Sequence, residues 1–437
     1  MNSLLLEINN YKAIAHAKIE LEGITVVSGV NSSGKSTLSK ILYHTIKTAL
    51  DFEENIYTDL ETEQTRILQL FWRLANDNQL QIEREAELFT NLSKTKETDQ
   101  STDRFYRSLE MFKTLFSARE QERPFDKKEI QRIATILLPH SKRSKETAVQ
   151  NTEDLFRLIF DYIESKEQTV HNEIKHRPLS LYYRYLSAYL DMNPETTSIS
   201  LSEDDMPIID RKENRVNNIY SIESLFYNDT PMSIDERRIP FRYNDRHTAH
   251  RSILKQTLEK SPLVLLDEKQ DTINIELSKI ISGKVSPEQT EFDKRFSYNR
   301  AIDKLTIDLT ESATGIKAFG ILQLLLTEGL LNEKTLLILD EPEAHLHPQW
   351  IVEYARIIVM LNKDLGVRFM IASHNPDMVS ALRYISEKEN TLQNLRFYLA
   401  EKTEDREQYN YKNLETDIEP VFQTFNIALD RINQYGI

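Results

Sequence analysis

The chain has 437 residues, 40% apolar content, a formal charge of −14 and no cysteine. The missing cysteine removes disulfides, thiolate metal sites and cysteine nucleophiles, so any metal has to be held by oxygen or imidazole. The acidic balance argues against a surface that is basic all over; with no run of eighteen apolar residues and no signal-peptide pattern, a cytoplasmic protein of two or three structural units that avoids the membrane is expected.

Residues 4–8 and 17–21 alternate loosely and predict strands, and Ile24–Ser28 is a compact β-branched run. It feeds GVNSSGKST, Gly29 to Thr37, and then a helix over Lys35–Leu50. A glycine-rich loop opening a helix presents successive backbone N–H groups to a polyphosphate, with Lys35 reaching the terminal phosphates and Ser36 offering its hydroxyl to Mg²⁺.

From residue 51 to about 190 the character changes to Glu, Gln, Lys and Arg, with apolar residues recurring at three and four. Ile67, Leu70, Phe71 and Leu74 form one stripe and Phe105, Leu109, Phe112 and Leu115 another, which predicts a helical insertion. Breaks near Pro124, Pro139 and Pro178 and the lack of sustained heptads argue against a long coiled-coil arm. Periodicity leaves open whether the stripes are core or a face for a partner. The basic clusters at 142–145 (Lys-Arg-Ser-Lys) and Arg237-Arg238 read first as solvated faces, although a local basic groove would leave room for nucleic acid.

Between 191 and 308 the pattern is mixed: an acidic loop (Glu203, Asp204, Asp205), a strand over 218–225, a helix over 245–258, and short strands near 280–285 and 305–309. Arg246, His247 and His250 invite a nuclease reading, but no carboxylate partners stand at recognisable spacing.

The last part is the best defined. An apolar helix over 316–327 precedes TLLILDEPEAHLHP, in which 335–339 reads as a strand buried on both faces and Asp340 and Glu341 sit where that strand leaves the sheet. A helix over 350–361, a buried strand over 367–372, His374 in IASHNP and a helix from 376 follow. Alternating β and α with continuously apolar strands predicts an α/β fold with a parallel sheet covered on both faces, whose ligands bind at the carboxyl ends of the strands. Gly29, Asp340 and His374 all fall there. Hydrolysis of a γ-phosphate needs charge neutralisation, a metal and an oriented water. Ser36 and Asp340 suit Mg²⁺, Glu341 suits the attacking water, and His374 suits contact with the γ-phosphate. His345 and His347 read as parts of a rigid, proline-terminated turn.

These residues carry a family resemblance. Asn31 two positions after Gly29, the Ser32-Ser33-Gly34-Lys35-Ser36-Thr37 run, an acid pair followed by Pro342, and a strand-terminal histidine about thirty residues later resemble the ABC class of ATPases, which includes SMC and RecF-like proteins. DEPEAHLHP with SHNP and ESATGIKAFGILQLLL is similar to the overcoming-lysogenization-defect-like ATPases of phage defence, including Septu-type and retron-associated ones. The resemblance implies an ABC-type ATPase head split between 1–50 and 191–437, with 51–190 inserted between the phosphate loop and the signature loop. It implies ATP and Mg²⁺, with Gly29 and 31–37 on the nucleotide, and a homodimer or higher oligomer in which a signature loop at Ala313-Thr314-Gly315-Ile316-Lys317 completes the partner's site through Thr314, Gly315 and Lys317. Ala313 stands where that loop usually has serine. It further implies a separately encoded effector such as a nuclease, because the residues after His374 are too few for the Toprim nuclease domain of full-length relatives; they read as a strand over 395–399, then loop and helix. The competing reading is a RecF-like DNA-binding ATPase.

Overall fold

The computed structural model describes residues 3–77, 98–139, 149–193, 195–235, 249–262, 264–289, 294–404 and 407–423. The basic cluster at 142–145, Arg237, Arg238, Arg246, His247 and the end of the chain that reads as a helix lie outside the described residues. Two compact units make up the chain: Met1–Leu50 with Leu179–Ile437, and Asp51–Pro178.

The first unit is built on a ten-stranded sheet. Its strands are β1 (Leu4–Tyr11), β2 (Ile14–Leu21), β3 (Ile24–Ser28), β4 (Ser198–Glu203), β5 (Met206–Pro207), β6 (Ser224–Asn228), β7 (Thr335–Asp340), β8 (Arg368–Ala372), β9 (Leu395–Lys402) and β10 (Tyr409–Glu415). In space they run β5-β4-β1-β2-β10-β9-β3-β8-β7-β6. The β9-β3-β8-β7-β6 part is parallel, and β1, β2, β4 and β5 add an antiparallel wing. β3, β7 and β8 are buried along their whole length on both faces, as their largely apolar runs demand. On β8, Phe369 and Ile371 join the core shared with helices Thr314–Thr327 and Pro348–Leu365, while Met370 points the other way and accepts a hydrogen bond from Ser39 of helix Lys35–Leu50. The predicted α/β architecture is the one observed.

Several boundaries differ from expectation for local reasons. The strand expected at 218–225 begins only at Ser224, because the Glu203 carboxylate accepts from the Tyr220 and Ser221 N–H groups at 3.0 and 2.8 Å and holds them out of the sheet. The helix expected from 245 is described over Ala249–Lys260. Residue 280 ends a helix rather than starting a strand; the chain turns at Ser282 (φ 52°) into a strand at Gly283–Gln289. Residues 409–415, read as loop, form β10, which gains its ladder only by lying between β9 and β2. Residues 179–190, read as insertion, belong with the first unit, where the buried Tyr182 hydroxyl donates to the Thr45 carbonyl at 3.0 Å.

The second unit is helical: Phe52–Asp77, Thr98–Glu122, Lys127–Leu137 and Thr152–His176. Both stripes turn inward. Ile67, Phe71, Phe105, Leu109 and Phe112 are fully buried, and the Phe71 ring stacks on Phe112 and Phe156 at 5.4 and 5.1 Å. Such offset pairs add about 0.5–1.5 kcal/mol each beyond burial. The choice between core and partner face is therefore decided for core.

In the first unit a Lys294–Glu328 contact closes the C-terminal end of the helix Thr314–Thr327, with Glu328 buried. Lys294 Nζ donates to Glu328 Oε1 at 2.6 Å and to the Leu258 and Ser261 carbonyls at 2.8 Å. Burial pushes the Glu328 carboxyl up to about 7, with the Lys294 hydrogen bond opposing. The folded carboxyl thus keeps its proton to higher pH than an unfolded one, so its contribution is present at low pH and is lost as pH rises through about 7. Between pH 5 and 8 the urea-unfolding free energy of Glu328→Gln should shift in the variant's favour, relative to the unsubstituted chain, by on the order of 1–3 kcal/mol. A pH-independent difference would refute this assignment.

Candidate functional site

The parallel strands β3, β8 and β7 end level with one another: Val27 pairs with Ala372 and Ala372 with Asp340. The loops leaving these three ends make one polar cavity of about 400 Å³, lined by Ala13, Asn31, Ser32, Gly34, Lys35, Ser36, Thr37, Glu341 and His374.

The phosphate loop between β3 and helix Lys35–Leu50 is wound by left-handed residues, Ser32 at φ 65° and Gly34 at φ 97°. Gly34 is forced by position as well as by φ, since a Cβ there would lie 3.2 Å from Ile14 Cγ1 and 3.4 Å from the Tyr411 hydroxyl. Lys35 Nζ donates to the Gly29 and Val30 carbonyls at 2.9 and 3.0 Å, so the ammonium folds back across the loop. Burial lowers the Lys35 pKa, while the Glu341, Asp340 and Glu343 carboxylates act to raise it. From β10, the buried Tyr411 hydroxyl donates to the Ser33 carbonyl at 3.0 Å and braces the loop from below. The sequence reading missed this residue because the segment read as loop.

Asp340 and Glu341 are adjacent yet differently housed. Asp340 is buried, and burial pushes its carboxyl up, with the nearby Ser36 and Tyr227 hydroxyls holding it back. Its Oδ2 accepts from the Tyr227 hydroxyl at 3.1 Å, and its Oδ1 is buried with no hydrogen-bond partner. An unsatisfied buried carboxylate oxygen beside the Ser36 hydroxyl fits a hard divalent cation, and these two residues are the ones suited to hold Mg²⁺. Among the described residues no group of three or more His, Asp or Glu could hold a metal by itself, so such an ion would need further ligands from phosphate and water.

Glu341 lines the cavity. Its backbone is left-handed (φ 47°), an uncommon conformation for a glutamate, and its N–H donates to the Ala372 carbonyl at 2.8 Å. Its Oε1 lies 3.0 Å from His374 Nδ1, across 33 residues of sequence. Glu343, which the sequence reading passed over, is buried two residues on, and burial pushes its carboxyl up. The Ser373 hydroxyl donates to Glu343 Oε1 at 2.6 Å and accepts from the Asn375 N–H at 3.1 Å. Two acids of one loop thereby fasten two successive residues of the other. Asn375 also caps helix Pro376–Lys388, accepting from the Asp377 and Met378 N–H groups at 2.8 and 3.2 Å. His347 caps helix Pro348–Leu365, so it shapes a turn as expected of the proline-terminated run.

Thr314, Gly315 and Lys317 are not part of this cavity. Thr314 opens a helix whose N-cap, Ala313, is exposed and supplies no side-chain hydrogen bond. Lys317 is turned into its own protomer: it is buried, and its Nζ donates to both Asp235 carboxylate oxygens at 2.7 and 2.9 Å. Gly315 packs under Trp350, whose ring carbons would lie 2.5 and 2.6 Å from an added Cβ.

His250, singled out for a nuclease reading, is buried beside Asp229 in the wall behind Asp340, away from the cavity lining. Among the described residues no helix is long and apolar enough to cross a membrane.

The AAA ATPase domain family model matches residues 5–379. A 99-residue stretch is 32% identical to the energy-coupling factor transporter ATP-binding proteins EcfA3 and EcfA2 of Clostridium perfringens, covering 22% of this chain. The match spans only 35% of the length of those curated relatives. Among solved structures, the Smc head bound to the C-winged helix domain of ScpA aligns over 96% of this chain and 98% of its own, at 11% identity and a TM-score of 0.39. The SMC head domain from Thermotoga maritima aligns over 95% and 99%, at 11% identity and a TM-score of 0.35.

Proposed function

This chain belongs to the AAA ATPase domain family, and from that premise we propose that it is an ABC-class ATPase acting as a nucleotide-driven switch: two copies close around ATP, hydrolyse it, and control a separate effector in defence against phage. The observation that carries the catalytic part is the meeting of Lys35, Ser36, Glu341 and His374 around one cavity, with Asp340 beside it.

Lys35 and the 29–36 amides neutralise the β- and γ-phosphates, as the helix N-terminus favours. Ser36 and Asp340 hold Mg²⁺, which when bound draws charge from the phosphate oxygens. Glu341 accepts a proton from water as the water oxygen forms its bond to the γ-phosphorus and the bond to the ADP oxygen breaks. With Nδ1–H donated to Glu341, His374 keeps the base aimed and leaves Nε2 for the γ-phosphate. The His374 contact is lost if Glu341 swings, which suits a residue that reports whether the γ-phosphate is present.

The defence reading rests on DEPEAHLHP, SHNP and ESATGIKAFGILQLLL, which resemble the overcoming-lysogenization-defect-like and retron-associated ATPases. The effector, a nuclease or other toxic enzyme, is a separate polypeptide. Residues 51–178 are its candidate dock, because none of the described residues among them lines the nucleotide cavity.

In light scattering the Glu341→Gln protein should double in mass on adding ATP and Mg²⁺, since nucleotide that binds only the closed pair stabilises it. An unchanged mass at saturating nucleotide, starting from monomer, would sink the sandwich. Co-purification of a nuclease with the chain would support the switch, whereas tight, steeply salt-dependent DNA binding by the pure chain would favour a RecF-like protein instead.

A further inference from the structure

Strand β6 lies parallel to β7 with Tyr227 level with Ile338 and Asn228 level with Leu339. Side chains alternate along a strand, so Asp340 shares the face of Ile338, and a residue as long as tyrosine at 227 can reach forward to it. It does: the fully buried Tyr227 hydroxyl donates to Asp340 Oδ2 at 3.1 Å. A carboxylate torsion is broad and roughly two-fold. With Oδ2 taken, the group is held in one orientation and Oδ1 is left as the oxygen without a partner.

Tyr227 is itself clamped. Its ring stacks on His250 at 4.3 Å, and Tyr43 packs against both rings at 5.7 and 6.1 Å. His250 Nε2 lies 3.1 Å from Asp229 Oδ1, and Asp229 accepts two hydrogen bonds from Arg251, both at 2.8 Å. A buried phenol is thus fixed by a ring stack whose far side ends in a bidentate ion pair. Burial, then the Asp340 and Asp229 charges, pushes the phenol above its ordinary range, so the hydroxyl remains a donor.

We propose that Tyr227 is a positioning residue for metal binding: it fixes the Asp340 carboxylate so that Oδ1 meets the divalent ion, and the His250–Asp229–Arg251 wall fixes Tyr227. The proposal rests on the reading of Asp340 as the metal acid. Outer-shell partners of metal-binding carboxylates typically account for 10–100-fold in metal affinity or activity.

The test measures the affinity of a fluorescent ATP analogue in Mg²⁺ and in EDTA, in the Glu341→Gln background where hydrolysis is stalled. The ratio of the two affinities is the coupling between metal and nucleotide. Tyr227→Phe should shrink that ratio about 10–100-fold and leave the EDTA value unchanged. 4-Aminophenylalanine at 227, which restores a donor, should recover it. Asp340→Asn sets the floor: if it too leaves the ratio intact, the metal-acid reading has failed, whereas a loss in Asp340→Asn with none in Tyr227→Phe overturns the tyrosine's role alone. If Tyr227→Phe folds poorly, 4-methylphenylalanine refills the volume without a donor. An unchanged ratio in that protein, or failure of both to fold, would make the contact structural and overturn the proposal.

Discussion

Glu341→Gln should bind ATP as tightly as the unsubstituted chain and hydrolyse it about 10²–10⁴-fold more slowly, the range a general base supplies. The glutamate acts on water as the transition state forms, so its loss leaves ground-state affinity alone. Its amide keeps the size and a hydrogen bond to His374, whose Nδ1 sits 3.0 Å from Oε1. Lys35→Ala should show the reverse order of effects, losing affinity first. Its ammonium already accompanies the loop carbonyls of Gly29 and Val30, and phosphate would take over those donors. Hydrogen bonds to a charged group contribute about 1.5–3 kcal/mol, which corresponds to roughly 10–100-fold in dissociation constant. Equilibrium binding of a fluorescent ATP analogue and phosphate release, measured on both proteins, separate the two. Hydrolysis at the unsubstituted rate by Glu341→Gln would remove it as the base. Glu343 is a poor replacement, because it is buried and already engaged by the Ser373 hydroxyl.

The residues of this experiment were visible before any coordinates, and the residues around them were not. Residues 24–27 and 335–339 are apolar or β-branched without interruption and lead to Gly29 and Asp340, so strand and sheet edge both follow from one local pattern. Helix Lys35–Leu50 was legible for the same reason, its apolar residues recurring at helical spacing behind a glycine loop. Tyr227 and Tyr411 have no such pattern. They reach Asp340 and Ser33 across 113 and 378 residues, and what makes each matter is strand order, a property of the folded sheet. Strand β10 illustrates the limit further: in YNYKNLE only Tyr411 and Leu414 are buried, too sparse a pattern to separate from loop, and its partners decide it. Lys317 shows a different limit. Its place in a family motif pointed outward to a partner's nucleotide, and Asp235, 82 residues away, draws it inward.

Gly315→Ala should destabilise the chain by about 1–3 kcal/mol, the usual cost of forcing an extra carbon into a packed site. The same change gains up to about 1 kcal/mol in a helix interior and less in the first turn, where Gly315 stands. The conflict has one identified source, the Trp350 ring, 2.5 Å from where the methyl would sit, which also packs edge-on against Phe319 at 5.6 Å. In a Trp350→Ala background Gly315→Ala should therefore turn from destabilising to mildly stabilising, a coupling of about 2–3 kcal/mol in a double-mutant cycle of urea unfolding. Additive effects would show that the glycine is kept for another reason. The cycle also decides how the trans site can be probed. Gly315→Asp places both bulk and a carboxylate at the helix start, so loss of turnover in that single variant has two causes. In Trp350→Ala the steric one is removed. If Gly315→Asp still abolishes ATP-dependent dimer and turnover relative to Trp350→Ala alone, the charge is being read by a partner's nucleotide; if both recover, Gly315 serves only the packing of its own protomer and the signature loop must be sought elsewhere.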